Sequence, residues 1–209
     1  MNPRMLCGLI AAVAAMAAAG SSFSGEPADL ERLRQKSADI KTVRADFVQK
    51  KVMKILSRPL VSAGRFYFAA PDSLRWEYTK PLRSVVLSYR GNTRRFIFSG
   101  GTMIEDKTPG VQAMNIVLGE IAGWMSGRFE DPTFKAAVRE AGDADLITLT
   151  PAKKDMSGMI EKIEIFVSSA TAAVKKVKII ESADSSTVID FKNVEINKGI
   201  KKSVFLEVE

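Results

Sequence analysis

The chain has 209 residues, 46% of them apolar, with 31 Lys and Arg against 24 Asp and Glu and no histidine. Its single cysteine, Cys7, lies close to the N-terminus, so no internal disulfide can hold the fold, and Ser-His-Asp, Cys-His and His- or Cys-built zinc chemistry are excluded. The net charge of +7 is spread over short clusters (Lys50-Lys51, Arg94-Arg95, Lys153-Lys154, Lys175-Lys176, Lys201-Lys202), and no basic helix or stacking platform of the kind nucleic acid requires is present.

Arg4, the apolar run Leu6 to Ala19 and the small residues around Ser22-Phe-Ser24 read as a secretory signal spanning residues 1–24. The run is short of the roughly 20 residues that cross a bilayer. Cys7 stands at the start of the apolar run, whereas a lipobox cysteine follows it. Residues 25–209 are expected to form one domain. An amphipathic helix follows, started by Pro27 and Asp29, with Leu30, Leu33, Ser37 and Ile40 on one face.

From Thr42 the period changes to two, with Val43, Ala45 and Phe47 on one side of a strand running toward Leu56. Ser57-Arg-Pro59 is its turn, and the next strand, 60–69, contains Gly64, which permits a bend. After the turn at Pro71-Asp-Ser come strands 74–79, 84–89 and 93–99, with a hairpin turn at Arg90-Gly91-Asn92. Phe47, Phe66, Phe68, Leu74, Trp76, Tyr78, Val85 and Leu87 are assigned to one inward row, and Arg75, Glu77, Thr79 and Lys80 to a wetted outer face.

The strand pattern is expected to stop at Gly100-Gly101. Residues 111–126 carry Met114, Val117, Leu118, Ile121, Trp124 and Met125 at helical spacing, a helix placed to plug or cap an open sheet. Strands resume at 134–140 and 145–150, and the polar loop Lys153 to Gly158 follows. Further strands are read around Ile163, Ile165 and Val167, around Val177 and Ile179, at 187–196 and at 203–208. The expected fold class is mainly β with helices: a strongly curled antiparallel sheet, an open or half β-barrel of about 11 strands, with an N-terminal helix and a helical lid. By pattern alone the inward row suits either a filled core or the wall of a site for a hydrophobic guest.

Several short motifs stand in a shared order: Ala45-Asp-Phe47-Val-Gln49, Pro59-Leu60, Gly64-x-Phe66, Pro71, Leu74-Arg-Trp76, Pro81, the hairpin Val85 to Gly91, Leu149-Thr-Pro151 and the strands from Val188 onward. In these the chain resembles the LolA family, periplasmic carriers of outer-membrane lipoproteins, over nearly all of residues 25–209. The resemblance implies a carrier and not an enzyme. It implies acyl chains held by Phe47, Phe66, Phe68, Leu74, Trp76, Tyr78, Val85 and Leu87 beneath a lid bearing Met114, Leu118, Ile121, Trp124 and Met125. The implied partners are acylated lipoproteins, an inner-membrane lipoprotein-release transporter and an outer-membrane receptor. No cofactor, metal or nucleic acid is implied, and a periplasmic monomer is expected. The alternative is a related carrier of another lipid or acylated product. An enzyme without His or Cys would need a carboxylate pair or a Ser-Lys nucleophile, and no S-x-x-K occurs. In one respect the chain departs from the family: the arginine that latches the lid, immediately before the first-turn proline, is here Ala70, with Arg65, Arg75 and Arg83 as substitutes to consider.

Overall fold

Alternating β-branched and aromatic residues form eleven strands: β1 (Thr42–Met53), β2 (Leu60–Ala69), β3 (Ser73–Lys80), β4 (Ser84–Tyr89), β5 (Asn92–Ser99), β6 (Thr102–Asp106), β7 (Phe134–Ala141), β8 (Ala144–Pro151), β9 (Lys162–Ser168), β10 (Val174–Ser182) and β11 (Ser185–Ile196). They make one sheet in a computed structural model that describes residues 27–107, 121–125, 128, 134–152 and 160–208. The expected signal, the polar loop 153–158 and most of the expected helix 111–126 lie outside the described residues.

The strand order is β6-β5-β4-β3-β2-β1-β11-β10-β9-β8-β7, with antiparallel neighbours throughout. The chain therefore begins at the centre, winds to one edge, crosses to the far edge and winds back to pair β11 with β1. The sheet remains open, with β6 and β7 as its edges.

It is also strongly curled. Trp76 on β3 and Phe191 on β11 are three strand spacings apart, about 14 Å on a flat sheet, yet their ring centroids lie 6.2 Å apart. Register shifts at Arg44/Asp46, Ala63/Gly64, Val174/Lys176 and Ile180/Ser182 add local bending. At Gly64 the neighbouring strand and the Phe47 ring leave no room for a side chain: a Cβ there would stand 1.9 Å from the Glu77 carbonyl oxygen and 2.7 Å from the Phe47 ring.

The turns follow their sequences. Arg90 and Gly91, both at positive φ (52° and 77°), form the expected two-residue hairpin. Helix α1 (Pro27–Ala38) buries Leu33 and Ser37, and Ile40 just beyond it is buried too. Arg32 binds Asp145 at 3.1 Å, which seats α1 beside β8. Asn197 joins both ends of the described chain at the sheet centre: its Oδ1 accepts from Lys41 N at 2.7 Å and its Nδ2 donates to Asp39 O at 2.9 Å.

Three expectations are corrected. Strands do not stop at Gly100-Gly101; with φ of 58° and 86° these glycines are the hairpin turn into the short edge strand β6. The terminal stretch 203–208 is not a strand. Both sides of β1 are already paired, so the chain end crosses the convex face as a 3-10 turn, Lys202–Phe205, with Phe205 buried. That turn also removes the wet outer face expected at Arg75 and Glu77, whose side chains are only 10% and 8% exposed. They pair at 3.0 Å, and Arg75 Nη1 donates to the carbonyls of Val204 (3.1 Å) and Glu207 (2.8 Å).

Candidate functional site: the concave aromatic face

Register decides which side chains share the concave face. Directly opposed residues point the same way, so the pairings Ala45↔Phe66, Phe66↔Trp76, Trp76↔Val86 and Val86↔Arg95 trace one continuous row across five strands. Phe47↔Gly64↔Tyr78 and Val43↔Phe68↔Leu74 run beside it.

The floor of this face is aromatic. Phe47 packs on Trp76 with centroids 4.4 Å apart, and Phe66 meets Trp76 edge-on at 5.5 Å and Phe191 at 5.7 Å. Tyr78 stands edge-on to Phe47 at 5.3 Å. Edge-on rings satisfy their quadrupoles but interdigitate less closely than branched aliphatics do. Residues 121–125 form a helical segment whose Ile121, Trp124 and Met125 are buried in the same apolar cluster as Phe47, Phe66 and Trp76.

The Trp76 indole N–H is buried and makes no hydrogen bond of acceptable geometry, although it lies close enough to the Tyr78 phenol to favour its ionised form. Burial dominates at Tyr78 and pushes its pKa above the ordinary 10, against the influence of Trp76, Gln49 and Arg95. The phenol donates to Gln49 Oε1 at 2.9 Å.

Polar pairs border the aromatic floor. Past Gln49 on the same face of β1, Lys51 forms an ion pair with Glu181. Ser185 and Thr187 donate to the same carboxylate at 2.5 and 3.2 Å. Burial alone would raise the Glu181 pKa, but the contacts with Lys51, Ser185 and Thr187 outweigh it and hold the carboxyl below its ordinary value. Farther out, Arg95 pairs with Asp106 at 3.1 Å, and its Nε is buried without a partner.

The structure brings together Phe47, Phe66, Phe68, Leu74, Trp76, Ile121, Trp124 and Met125, with Tyr78 half-buried against them. It does not bring Val85 and Leu87 there. These oppose Glu77 and Arg75, so they point to the convex side, where they cluster with Phe96, Met103 and Val208. Val86 takes the inward place. Met114 and Leu118 lie outside the described residues.

Phe191 and Arg95 were missed by the sequence reading. The alternation Ile189-Asp190-Phe191 puts Phe191 on an inward row, but only the pairing Phe47↔Phe191 brings it to the aromatic floor, and Arg95 needed the register of β5 on β4. Arg65, Arg75 and Arg83 gather on the convex side around the C-terminal segment, and Ala70 is exposed in the β2–β3 turn. Of the strand arginines, Arg95 stands on the concave face, opposite Val86.

Among the described residues no group of three or more acidic, Cys or His side chains is placed to hold a metal ion, and no helix is long and apolar enough to cross a membrane.

A sequence profile described as "Outer membrane lipoprotein carrier protein LolA" matches residues 38–206. An outer-membrane lipoprotein carrier protein of Methylococcus capsulatus is 32% identical over 72 residues, which is 34% of this chain and 35% of that protein. The match thus spans about a third of the relative's length. Among solved structures, an uncharacterized conserved protein from Thermus thermophilus superposes with a TM-score of 0.52 at 6% identity, over 87% of this chain and 93% of that one, a likeness of fold. The LolA superfamily protein NE2245 from Nitrosomonas europaea gives a TM-score of 0.40 at 9% identity, over 84% and 96%.

Proposed function

The chain belongs to the outer membrane lipoprotein carrier family LolA, and on that footing we propose that it is a periplasmic carrier that takes the acyl chains of lipoproteins onto its concave aromatic face and shuttles them from the inner to the outer membrane. Residues 1–24 would serve as its export signal and 25–209 as its single carrier domain, monomeric and without cofactor or catalytic activity. An inner-membrane release transporter would load it and an outer-membrane receptor unload it.

The observation that carries this reading is the asymmetry of the concave face: Phe47, Phe66, Trp76 and Phe191 line it as flat rings, and the helical segment 121–125 lies over them. Moving that segment aside would bare the rings, and an acyl chain would replace Ile121, Trp124 and Met125 as their cover. Burying about fifteen methylenes is worth on the order of 12 kcal/mol at ~0.8 per CH₂, which leaves a margin for displacing the cover. Met125 suits a cover that repacks around guests of different length. The polar pairs Lys51–Glu181 and Arg95–Asp106 border the floor where the guest's polar end would emerge.

The second reading, a carrier of another lipid or acylated product, is favoured by one observation. Ala70 supplies no latch, and the concave arginine is instead Arg95, on a different strand.

Both tryptophans of the chain, Trp76 and Trp124, lie in this cluster, so intrinsic fluorescence reports its occupancy. Brominated fatty acyl probes are expected to quench that emission saturably. Mass spectrometry of protein purified from the periplasm is expected to recover acylated lipoprotein. Recovery of free lipid would transfer the assignment to the second reading, and neither quenching nor bound lipid would overturn both.

A further inference from the structure

Four connections described in full lie at one end of the sheet: the β1–β2 hairpin 54–59, the β3–β4 loop 81–83, the β5–β6 turn at Gly100-Gly101 and the β10–β11 turn at Ala183-Asp184. At this end Ile55 is 87% exposed and Leu82 78%, and Leu60, Val61 and Phe98 are exposed beside them. Single exposed apolar residues are ordinary, but these five are concentrated. Among the described residues the opposite end, with its turns at 70–72, 90–91, 142–143 and 169–173, carries none of the large exposed apolar side chains. Leu60 and Val61 also extend beyond the last pairing of β2 with β3, at Ala63↔Lys80, so the hairpin stands proud of the sheet on that side.

On the β1–β2 and β3–β4 tips the charge is of one sign. Residues 47–71 and 78–104 contain no Asp or Glu. Lys54, Arg58 and Lys80 are exposed at this end, with Lys50 a little farther along β1. The acidic groups that face them from β10 and its turn, Glu181 and Asp184, are paired with Lys51 and Lys54. Lys50, Arg58 and Lys80 make no ion pair among the described residues.

We propose that this end of the sheet seats on an anionic lipid surface, with Ile55 and Leu82 entering the boundary between headgroups and acyl chains and Arg58 and Lys80 meeting lipid phosphates. The arrangement fits a bilayer better than a protein partner. The apolar side chains sit on separate loop tips among cations, where each can enter a soft interface, and do not line one groove shaped for a complementary chain. Contact of this kind is reversible, since a few apolar tips bury far less than an acyl anchor does.

The test uses the guest-free protein and vesicles, so its failure would leave acyl binding on the concave face untouched. Flotation is measured with phosphatidylcholine vesicles and with vesicles in which about a third of the lipid is phosphatidylglycerol. Each cation near an anionic surface strengthens binding roughly fivefold, so the parent protein should float at least about tenfold better on the anionic vesicles. Arg58→Glu/Lys80→Glu should remove that preference, and Ile55→Ser/Leu82→Ser should weaken flotation, both with unchanged unfolding midpoints because the altered side chains are exposed. An environment-sensitive dye on Ile55→Cys should shift to the blue on anionic vesicles, and the same dye on Asp72→Cys, at the opposite end, should not. Equal flotation of parent and both double variants would overturn the proposal. Absence of flotation, combined with variant-sensitive crosslinking to an acidic protein, would assign the surface to that protein and also overturn it.

Discussion

The two halves of the sheet are built from different side chains. On the concave side β1 to β4 present Phe47, Phe66, Phe68, Trp76 and Tyr78, whereas β7 to β11 present Val138, Ile147, Leu149, Ile163, Ile165, Val167, Val177, Ile179 and Ile189 before Phe191 at the seam. Branched aliphatics interdigitate into a dense, stiff layer, while rings meet at edges and leave surfaces that another flat or flexible group can cover. The convex sides differ in the opposite sense. Behind the aliphatic half the convex face is solvated, with Lys176–Asp190 at 3.2 Å and Lys162–Glu164 at 2.8 Å. Behind the aromatic half it is covered by the chain end, which Arg75 holds. One half packs as a framework and the other is braced from outside, as a half whose inner surface takes the proposed guest would need to be.

The largest effect should come from that brace. Arg75→Ala leaves Glu77 buried without its partner and frees two carbonyls, and breaking such a pair costs about 3–5 kcal/mol. Urea unfolding reads the loss, and trypsin should then cut readily at Lys201 and Lys202. A change within about 0.5 kcal/mol, typical of exposed sites, would mean the convex cover is dispensable and the two halves are braced alike.

Next comes a paired comparison. Ile165→Ala in the aliphatic half should cost about 2–5 kcal/mol, with quenching by a brominated acyl probe unchanged in the folded protein. Trp76→Phe should cost less than about 1.5 kcal/mol, because the lost volume is offset by removing an unpartnered buried N–H. Its acyl affinity, read through Trp124, should nevertheless change about tenfold. If Ile165→Ala weakened the probe while Trp76→Phe altered stability alone, the division into framework and guest surface would be wrong.

The smallest effect concerns pH. The Glu181 carboxyl, opposed by its own burial but held by Lys51, Ser185 and Thr187, sits below its ordinary 4.5 in the folded protein. A depressed carboxyl contributes stability that is complete above the unfolded value and disappears as pH falls through the folded one. The stability difference between parent and Glu181→Gln should therefore be constant near neutrality and shrink below about pH 4.5. A difference that widened on acidification would show that Lys51 and Glu181 do not pair across the sheet.

Much of the fold was legible because the strands obey period two and the turns use residues with few alternatives. Helix α1 and strands β1 to β5 fall within a few residues of where alternation and Gly, Pro and Asn place them. The errors have physical causes. Val85-Val86-Leu87 is an uninterrupted apolar run and carries no phase, so only the pairing Trp76↔Val86 shows which residue faces inward. Thr102 to Asp106 has too few apolar residues to announce an edge strand. Val204 to Val208 looks like a strand by composition and is denied one because no free sheet edge is within its reach.

The sequence by itself determined the class of fold, the aromatic wealth of residues 64–78, and the absence of any histidine, or of any cysteine beyond Cys7, since composition and local period do not depend on distant partners. Tertiary structure alone decided that Phe191 completes the aromatic floor, that Arg95 and not Arg65, Arg75 or Arg83 faces inward, and that Arg75 and Glu77 are buried. Each of these depends on the register between strands or on what covers a face. Those are relations between segments that lie far apart in the chain, and no local pattern encodes them.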